Sequence, residues 1–226
     1  MRVCHLSDLH FTGAIDEKYF QHVFELANQG EPDLIFITGD ILDEKKCQDW
    51  IPRTLSKLHA KHGVYFVRGN HDLKIADQET YRQSLLDTGF TAAALHGWIE
   101  IAIGDAKLLV SGNEFPWYQR PEDLPAKPSD PNCFAMLLSH SPDQVGWAVR
   151  RKIDLMFAGH THGGQIRLPI AGPVVAPSCY GIKYASGTFK IRETLMHVSR
   201  GVSGDEPIRI NCPPELSFFN IFRDTN

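Results

Sequence analysis

The first two-thirds of the chain alternates short apolar runs with longer polar stretches. Runs of four to six residues rich in Val, Ile, Leu and Phe predict buried strands. These runs are 2–7, 33–38, 64–67, 107–112, 134–139 and 154–158. Helical spacing of apolar residues predicts helices between them, at 16–29, 47–62, 78–88 and 142–152. Strands that are apolar on both faces and separated by helices are typical of a largely parallel sheet covered by helices.

The pattern changes after Gly164, where prolines and glycines interrupt shorter runs. Three of these runs, at 194–199, 207–211 and 216–222, predict strands of a second, more antiparallel sheet. The chain has no internal repeat, low-complexity tract or linker composition. We therefore predict an α/β fold with two sheets, in a single domain over residues 1–226.

Polar side chains follow five of the apolar runs, in most cases beside a glycine. They are Asp8 and His10, Asp40, Asn70, His140, and the pair His160 and His162. Because the carboxyl ends of strands in open α/β sheets form the ligand crevice, we expect these side chains to meet at one edge. Asp, Asn and His are ligands for divalent cations of intermediate hardness. The i, i+2 spacing of both DxH and HxH predicts two side chains on one side of locally extended chain.

Each of these short motifs is weak by itself, because Asp, Asn and Gly are common in turns. Five of them at successive strand ends together predict a metal site. Six other histidines are excluded as ligands: His5 is predicted to be a core residue, His59 and His62 fall near a predicted helix end, and His22, His96 and His197 have no companion at ligand spacing. The loop 113–125 carries Phe115, Trp117 and Tyr118, for which substrate contact and packing against the rim both remain open.

Composition excludes several classes of protein. The net charge is −4 and no basic cluster is present, so the chain carries no nucleic-acid footprint. Its five cysteines are scattered without a CxxC pair, which favours free thiols over a disulfide framework or a zinc knuckle. No run of 18 apolar residues is present, so no transmembrane segment is expected. We expect a cytoplasmic protein that is at most peripheral at a membrane.

The ordered motifs resemble those of the calcineurin-like metallophosphoesterases. That family's pattern DxH…GD…GNH[DE]…H…GHxH is matched by "DLH", "GD", "GNHD", "H" and "GHTH". The resemblance implies a four-layer α/β/β/α sandwich of two mixed β-sheets flanked by helices. It also implies two metal ions: one bound by Asp8, His10, Asp40 and His162, the other by Asp40, Asn70, His140 and His160.

The activity implied by the resemblance is hydrolysis of a phosphodiester or pyrophosphate bond by in-line attack of a metal-bridging hydroxide. Mn²⁺ is the expected metal, with Fe and Zn as alternatives. His71 would be the general acid for the leaving oxygen, and Asp43 would orient its imidazole. The alternative for Asp43 is a cap on the following helix.

The second half of the chain has a narrower resemblance, carried by "GHTHGGQIRLP", "PSCYGIKYASGTF", "VSRGVSG" and "PIRINCPPEL". These segments are similar to a bacterial branch that includes membrane-associated phosphodiesterases and UDP-2,3-diacylglucosamine pyrophosphatases. A lipid-linked nucleotide is therefore one expected substrate. Phosphoprotein phosphatases read GDxVDRG where this chain has Glu44 after Asp43, which disfavours a phosphoprotein substrate. A phosphomonoesterase and a non-catalytic scaffold of the same fold are the alternatives, and the oligomeric state is open.

Overall fold

Two β-sheets and four α-helices form the framework of the computed structural model, which describes residues 1–104, 106–118, 124–204, 206 and 208–222. The helices are α1 (Glu17–Gln29), α2 (Trp50–Arg53), α3 (Gln78–Leu86) and α4 (Val145–Arg150). The strands are β1 (Arg2–Leu6), β2 (Leu34–Thr38), β3 (Val64–Val67), β4 (Thr91–Ala92), β5 (Ile99–Ile103), β6 (Ala106–Asn113), β7 (Cys133–Ser139), β8 (Leu155–Ala158), β9 (Arg167–Leu168), β10 (Gly172–Pro173), β11 (Gly187–Ile191), β12 (Thr194–Val198) and β13 (Ser217–Asn220).

Both large sheets are mixed. The first has the order β13-β1-β2-β3-β4, in which β1 to β4 are parallel and β13 pairs antiparallel with β1. The second has the order β11-β12-β8-β7-β6-β5, with parallel pairing in its centre and antiparallel strands at both edges. Strands β9 and β10 form a separate hairpin. The parallel strands of both sheets end near each other, and this positions the site.

Three apolar clusters separate four layers. The helix α1 is amphipathic and buries Phe20 and Phe24 against the first sheet, in a cluster that includes Leu6 and Ile37. A second cluster fills the space between the sheets, where the Phe36 and Phe157 rings meet edge to face. The third cluster packs α4 on the outer face of the second sheet. The predicted α/β/β/α sandwich of two mixed sheets is therefore confirmed.

The allocation of strands to sheets differs from the prediction. The runs that became β6, β7 and β8 belong to the second sheet, and the first six runs do not form one parallel sheet. Strand β12 pairs parallel with β8, and β13 returns to the first sheet. Strands β6, β7 and β8 are largely buried on both faces, as β1 to β3 are, so their sequences carry no mark of which sheet they join.

Other differences have local causes. The predicted helix 47–62 is only the four-residue α2 with a 3₁₀ turn on either side, and Leu58 at its end is already extended. In the predicted strand 207–211, Ile210 makes a single bridge to Ile166, and residue 207 lies outside the described residues. Residues 119–123 of the loop 113–125 also lie outside them. No helix in the described ranges has the length and apolarity to cross a membrane.

Candidate metal centre

The carboxyl ends of five strands, three from the first sheet and two from the second, bring the predicted ligands together. Asp8, His10, Asp40 and His162 each offer one ligand atom within 4.8 Å of the others, and so do Asp40, His140 and His160. Asp40 belongs to both groups. The remaining predicted ligand, Asn70, lies beside the second group, with its Oδ1 3.1 Å from His140 Nε2.

The backbone at these strand ends is not extended. The prediction that DxH and HxH place two side chains on one side of locally extended chain is therefore wrong. Five of the side chains stand on residues with positive φ of 46° to 71°: Asp8, His10, Asp40, His160 and His162. Left-handed conformations of residues other than glycine cost of order 1 kcal/mol or more each and cluster at functional sites. Sharp left-handed turns, rather than alternation along a strand, aim these side chains inward.

The side chains fit a bound cation better than they fit one another. Asp40 Oδ2 is buried and accepts no hydrogen bond of acceptable geometry, although His140 Nε2 lies 3.1 Å away and His10 Nε2 3.7 Å away. His10 Nε2 and His162 Nε2 face each other at 3.3 Å. A buried orphaned carboxylate oxygen is costly. Imidazole nitrogens converging on such an oxygen are the donor set of a divalent transition metal.

Glycines allow this close approach. A Cβ on Gly159 would overlap Ser7 Oγ and Asp8 Oδ2, and a Cβ on Gly69 would overlap Asp40 Oδ1. Neither residue has a positive φ, so the requirement at both positions is space rather than backbone conformation.

Hydrogen bonds at Nδ1 direct the Nε2 atoms of three histidines into the centre. His10 donates to Asp43 Oδ1 at 2.9 Å, His140 to the Thr38 carbonyl at 2.7 Å, and His162 to the Ser203 carbonyl at 3.3 Å. An Nδ1–H donor leaves the Nε2 lone pair available to a metal. Without a metal, burial disfavours the charged form of His140, but the Asp40 carboxylate and the Thr38 carbonyl outweigh it and raise the pKa of His140 to about 9. A cation bound at Nε2 would therefore displace a proton from it.

The predicted pair of His71 and Asp43 is in contact. His71 Nδ1 lies 2.6 Å from Asp43 Oδ2, which also accepts from Lys74 Nζ at 2.9 Å. The helix-cap alternative for Asp43 is wrong, because the next 3₁₀ turn starts after Glu44 and has no side-chain cap. The His71 backbone N–H donates to Asp40 Oδ1 at 2.8 Å, and this holds His71 against the candidate ligand. Asp43 also accepts from His10 through Oδ1, a contact that the sequence does not indicate.

One residue at the centre, Asp72, was not predicted from the sequence. Asp72 is completely buried and accepts hydrogen bonds from five donors: the backbone N–H groups of Asp40, Ile41, Leu42 and Gly69, and the Tyr81 hydroxyl. Burial and the neighbouring Asp40 carboxylate raise the pKa of Asp72 to about 6. Asp72 stands in the matched "GNHD" motif, which is the one signal that could have found it.

Trp117, in the loop 113–125, also lies at the centre, and the structure leaves both alternatives for that loop open. Its ring centroid lies 4.9 Å from that of His160 and 5.3 Å from that of His140. Beside it, the Arg68 guanidinium stacks on Tyr118 at 3.7 Å and pairs with Glu114 at 2.8 Å. The half-buried indole therefore lies at the rim of the centre.

Comparisons with known proteins agree with this geometry. Residues 1–164 match the family model of the calcineurin-like phosphoesterases. The uncharacterized metallophosphoesterase YkuE of Bacillus subtilis is 31% identical over all of this chain and 80% of its own length. The phosphodiesterase YaeI of Escherichia coli is 27% identical over 97% of this chain and 82% of its own length.

Solved structures share the fold at low sequence identity. GAP50, the anchor in the inner membrane complex of Plasmodium, has a TM-score of 0.53 and 9% identity over 96% of this chain and 78% of its own. The NAD nucleotidase NadN of Haemophilus influenzae also has a TM-score of 0.53, with 12% identity over 97% of this chain and 49% of its own. With the family model spanning well over half of its residues, the chain belongs to the calcineurin-like phosphoesterase family.

Proposed function

We propose that this protein is a dinuclear-metal-dependent phosphoesterase, acting as a single domain, that hydrolyses a phosphodiester or pyrophosphate bond. The observation that carries the proposal is the pair of candidate ligand groups that share Asp40. One metal would be held by Asp8, His10, Asp40 and His162. The other would be held by Asp40, Asn70, His140 and His160. Mn²⁺ is the expected ion, with Fe and Zn as alternatives for a mixed nitrogen and oxygen site.

Two divalent cations at such a site polarise the phosphoryl oxygens and supply hydroxide near neutral pH. The residues of the chain provide the remaining parts of the reaction. His71 donates a proton from Nε2 to the leaving oxygen, since its Nδ1 is engaged by Asp43. Asp43 accepts from both His10 and His71, so a single carboxylate orients one metal ligand and the general acid.

An apolar groove beside the centre favours a substrate with an aliphatic substituent. The groove has a volume of about 420 Å³, and His162 forms part of its wall. Its exposed aliphatic side chains are Ile166, Val174, Val175 and Ile208. Because His162 belongs to both the groove and the candidate metal site, a phosphoester bound there could extend its substituent into the groove. Lipid-linked nucleotides such as UDP-2,3-diacylglucosamine have this combination of groups.

The proposal is tested with metal-stripped protein and bis(p-nitrophenyl) phosphate, before and after addition of Mn²⁺. We expect hydrolysis that depends on Mn²⁺ and is lost in Asp40→Asn. The exposed Asp87→Asn serves as the matched control. Inactivity of the wild type with bound Mn²⁺ would favour the alternative of a non-catalytic scaffold. Faster hydrolysis of p-nitrophenyl phosphate than of the diester would favour the phosphomonoesterase alternative.

The groove is tested separately with p-nitrophenyl phosphate diesters whose second ester is methyl, butyl or octyl. Each buried methylene contributes about 0.8 kcal/mol, so kcat/KM rises up to about fourfold per methylene that enters the groove. Val175→Ser is expected to flatten this dependence, whereas the exposed Leu195→Ser on β12 is expected to leave it unchanged. Equal rates for all three diesters would contradict the preference for an aliphatic substituent.

A further inference from the structure

A chain of five hydrogen-bonded side chains runs between the two sheets beneath the candidate metal centre. Its four contacts are Ser7 Oγ to Thr38 Oγ1 at 2.8 Å, Thr38 Oγ1 to His5 Nε2 at 2.8 Å, His5 Nδ1 to His197 Nδ1 at 3.0 Å, and His197 Nε2 to Glu215 Oε1 at 3.1 Å. The first four residues are buried, and the Glu215 side chain is 16% exposed. His5, which was predicted to be a core residue, and His197 are thus the middle of a polar connection.

The charge of Glu215 decides which way every proton in this chain points. An ionised carboxylate only accepts, so His197 must carry its proton on Nε2 and accept at Nδ1. His5 then donates from Nδ1 and accepts at Nε2. Thr38 therefore donates its hydroxyl proton to His5 and accepts the proton of Ser7.

The surroundings keep Glu215 ionised and His5 neutral. Burial opposes ionisation of Glu215, but hydrogen bonds from His197, Ser217 and Arg200 outweigh it and hold its pKa well below the usual range. Burial, together with the neighbouring His197, lowers the pKa of His5 well below its ordinary value. Arg200 Nε donates to the second carboxylate oxygen of Glu215 at 2.7 Å.

At its other end, this chain meets a group that orients a candidate ligand. The Thr38 carbonyl accepts from His140 Nδ1 at 2.7 Å, and Ser7 Oγ lies 3.2 Å from the same carbonyl. When the protons point toward Glu215, the Ser7 proton goes to the Thr38 hydroxyl, and His140 has the carbonyl to itself. In the reverse direction, Ser7 donates to the same carbonyl, and this second donor weakens the bond that orients His140.

We propose that Glu215 is a positioning residue for the metal centre: through His197, His5 and Thr38 it reserves the Thr38 carbonyl for His140. The inference rests on the proposed metal centre. Ser7 directly precedes Asp8, and Thr38 stands two residues before Asp40, so both hydroxyls lie on the segments that carry candidate ligands.

The Glu215→Gln variant reverses the chain without removing an atom from it. Because the Arg200 guanidinium can only donate, the amide oxygen of the glutamine faces Arg200 and its NH₂ group faces His197 Nε2. His197 then accepts at Nε2 and carries its proton on Nδ1, and His5 carries its proton on Nε2. NMR of ¹⁵N-histidine in the metal-free protein reads these tautomers directly. We expect Nε2–H on His197 in the wild type and Nδ1–H in the variant.

Calorimetric titration with Mn²⁺ tests whether the direction of the chain matters to the centre. Substitutions of groups that orient metal ligands typically cost about 10- to 100-fold in affinity, and we expect about tenfold for Glu215→Gln. Thr38→Val breaks the chain at the opposite end and leaves Ser7 only the carbonyl, so a similar loss is expected. The double variant should lose no more than either single variant. Glu193→Gln, exposed in the turn between β11 and β12, is the control and should bind Mn²⁺ like the wild type.

Four results would overturn the proposal. Unchanged tautomers in Glu215→Gln would show that Glu215 does not direct the chain. Additive losses in the double variant would show that Glu215 and Thr38 act separately. Reversed tautomers in Glu215→Gln with an unchanged Mn²⁺ affinity would refute the positioning role alone. A wild type that binds no Mn²⁺, with tautomers that still reverse in the variant, would refute the proposed function and the positioning role with it.

Discussion

Replacing Asp43 with asparagine is expected to weaken either general-acid catalysis or metal binding, according to the way in which the introduced amide lies. The Asp43 carboxylate is almost completely buried and accepts from His10 through Oδ1, and from His71 and Lys74 through Oδ2. All three partners are donors, whereas an amide offers one acceptor oxygen and one donor group. Whichever way the introduced amide lies, one of the two imidazoles faces a donor. That imidazole must then accept at Nδ1.

The size of each effect follows from which imidazole loses its acceptor. If the amide NH₂ faces His71, that residue is held neutral and becomes a weaker acid. Loss of general-acid catalysis costs about 10²- to 10⁴-fold, so a fall in kcat of about 100-fold, or about 2.7 kcal/mol, is expected. If the amide NH₂ faces His10 instead, His10 carries its proton on Nε2. Mn²⁺ affinity then falls by about tenfold, the low end for a residue that orients a metal ligand.

Two variants separate these effects. Turnover of bis(p-nitrophenyl) phosphate at saturating Mn²⁺ gives kcat, and calorimetry gives the Mn²⁺ dissociation constant. His71→Ala should lower kcat by about 100-fold and leave Mn²⁺ binding close to wild type, whichever way the amide of Asp43→Asn lies. If His71→Ala loses metal as well, the general-acid role of His71 is refuted. If Asp43→Asn changes neither quantity, the shared orienting role of Asp43 is refuted.

Three further substitutions probe other parts of the molecule. Gly159→Ala puts a methyl group onto Asp8 and should lower Mn²⁺ affinity at least tenfold, whereas Gly146→Ala in α4, where the nearest atom is 3.7 Å away, should bind Mn²⁺ normally in the same titration. Trp117→Ala removes a ring from the rim, and because aromatic pairs contribute about 0.5–1.5 kcal/mol, KM for bis(p-nitrophenyl) phosphate should rise about two- to tenfold with little change in kcat. Glu215 has a depressed pKa, so its stabilisation is present above the unfolded value of about 4.3 and is lost as the pH falls below it. Between about pH 6 and about pH 3, the free energy of unfolding measured in urea should therefore fall less in Glu215→Gln than in the wild type. Normal Mn²⁺ binding in Gly159→Ala, an unchanged KM in Trp117→Ala, or the same pH dependence of stability in Glu215→Gln and the wild type would each contradict the prediction for that variant.

The candidate ligands could be predicted from the sequence because strand ends have a simple geometry. Asp8, Asp40, Asn70, His140 and His160 each follow an apolar run, and the carboxyl ends of parallel strands share one edge. This shared edge does not depend on which strands are neighbours. The candidate ligands therefore meet although β6, β7 and β8 were expected in the other sheet.

The orientation of these side chains could not be predicted in the same way. The spacing of His160 and His162 indicated extended chain, yet both residues have positive φ. Local propensity disfavours that conformation, and only the surrounding packing and hydrogen bonds compel it. The spacing of residues in the sequence does not reveal contacts between distant residues, such as the hydrogen bond from the His160 N–H to Asp8.

Contacts behind the centre were also invisible in the sequence. His5 and His197 have no spacing that relates them, because they meet only where the two sheets face each other. The five donors around Asp72 come from the loops after β2 and β3 and from α3, so no short motif contains them. Long-range polar contacts of this kind depend on the relative placement of the sheets, which the apolar pattern left undetermined.

The central claim is a pair of metal ions bridged by Asp40. Its most direct test is anomalous X-ray diffraction from crystals grown with Mn²⁺. We expect two anomalous peaks about 3.5–4 Å apart, the spacing of two-metal hydrolytic sites, with Asp40 between them. Asp8, His10 and His162 should surround one peak, and Asn70, His140 and His160 the other. A single peak, or two peaks that do not share Asp40, would refute the proposed dinuclear centre.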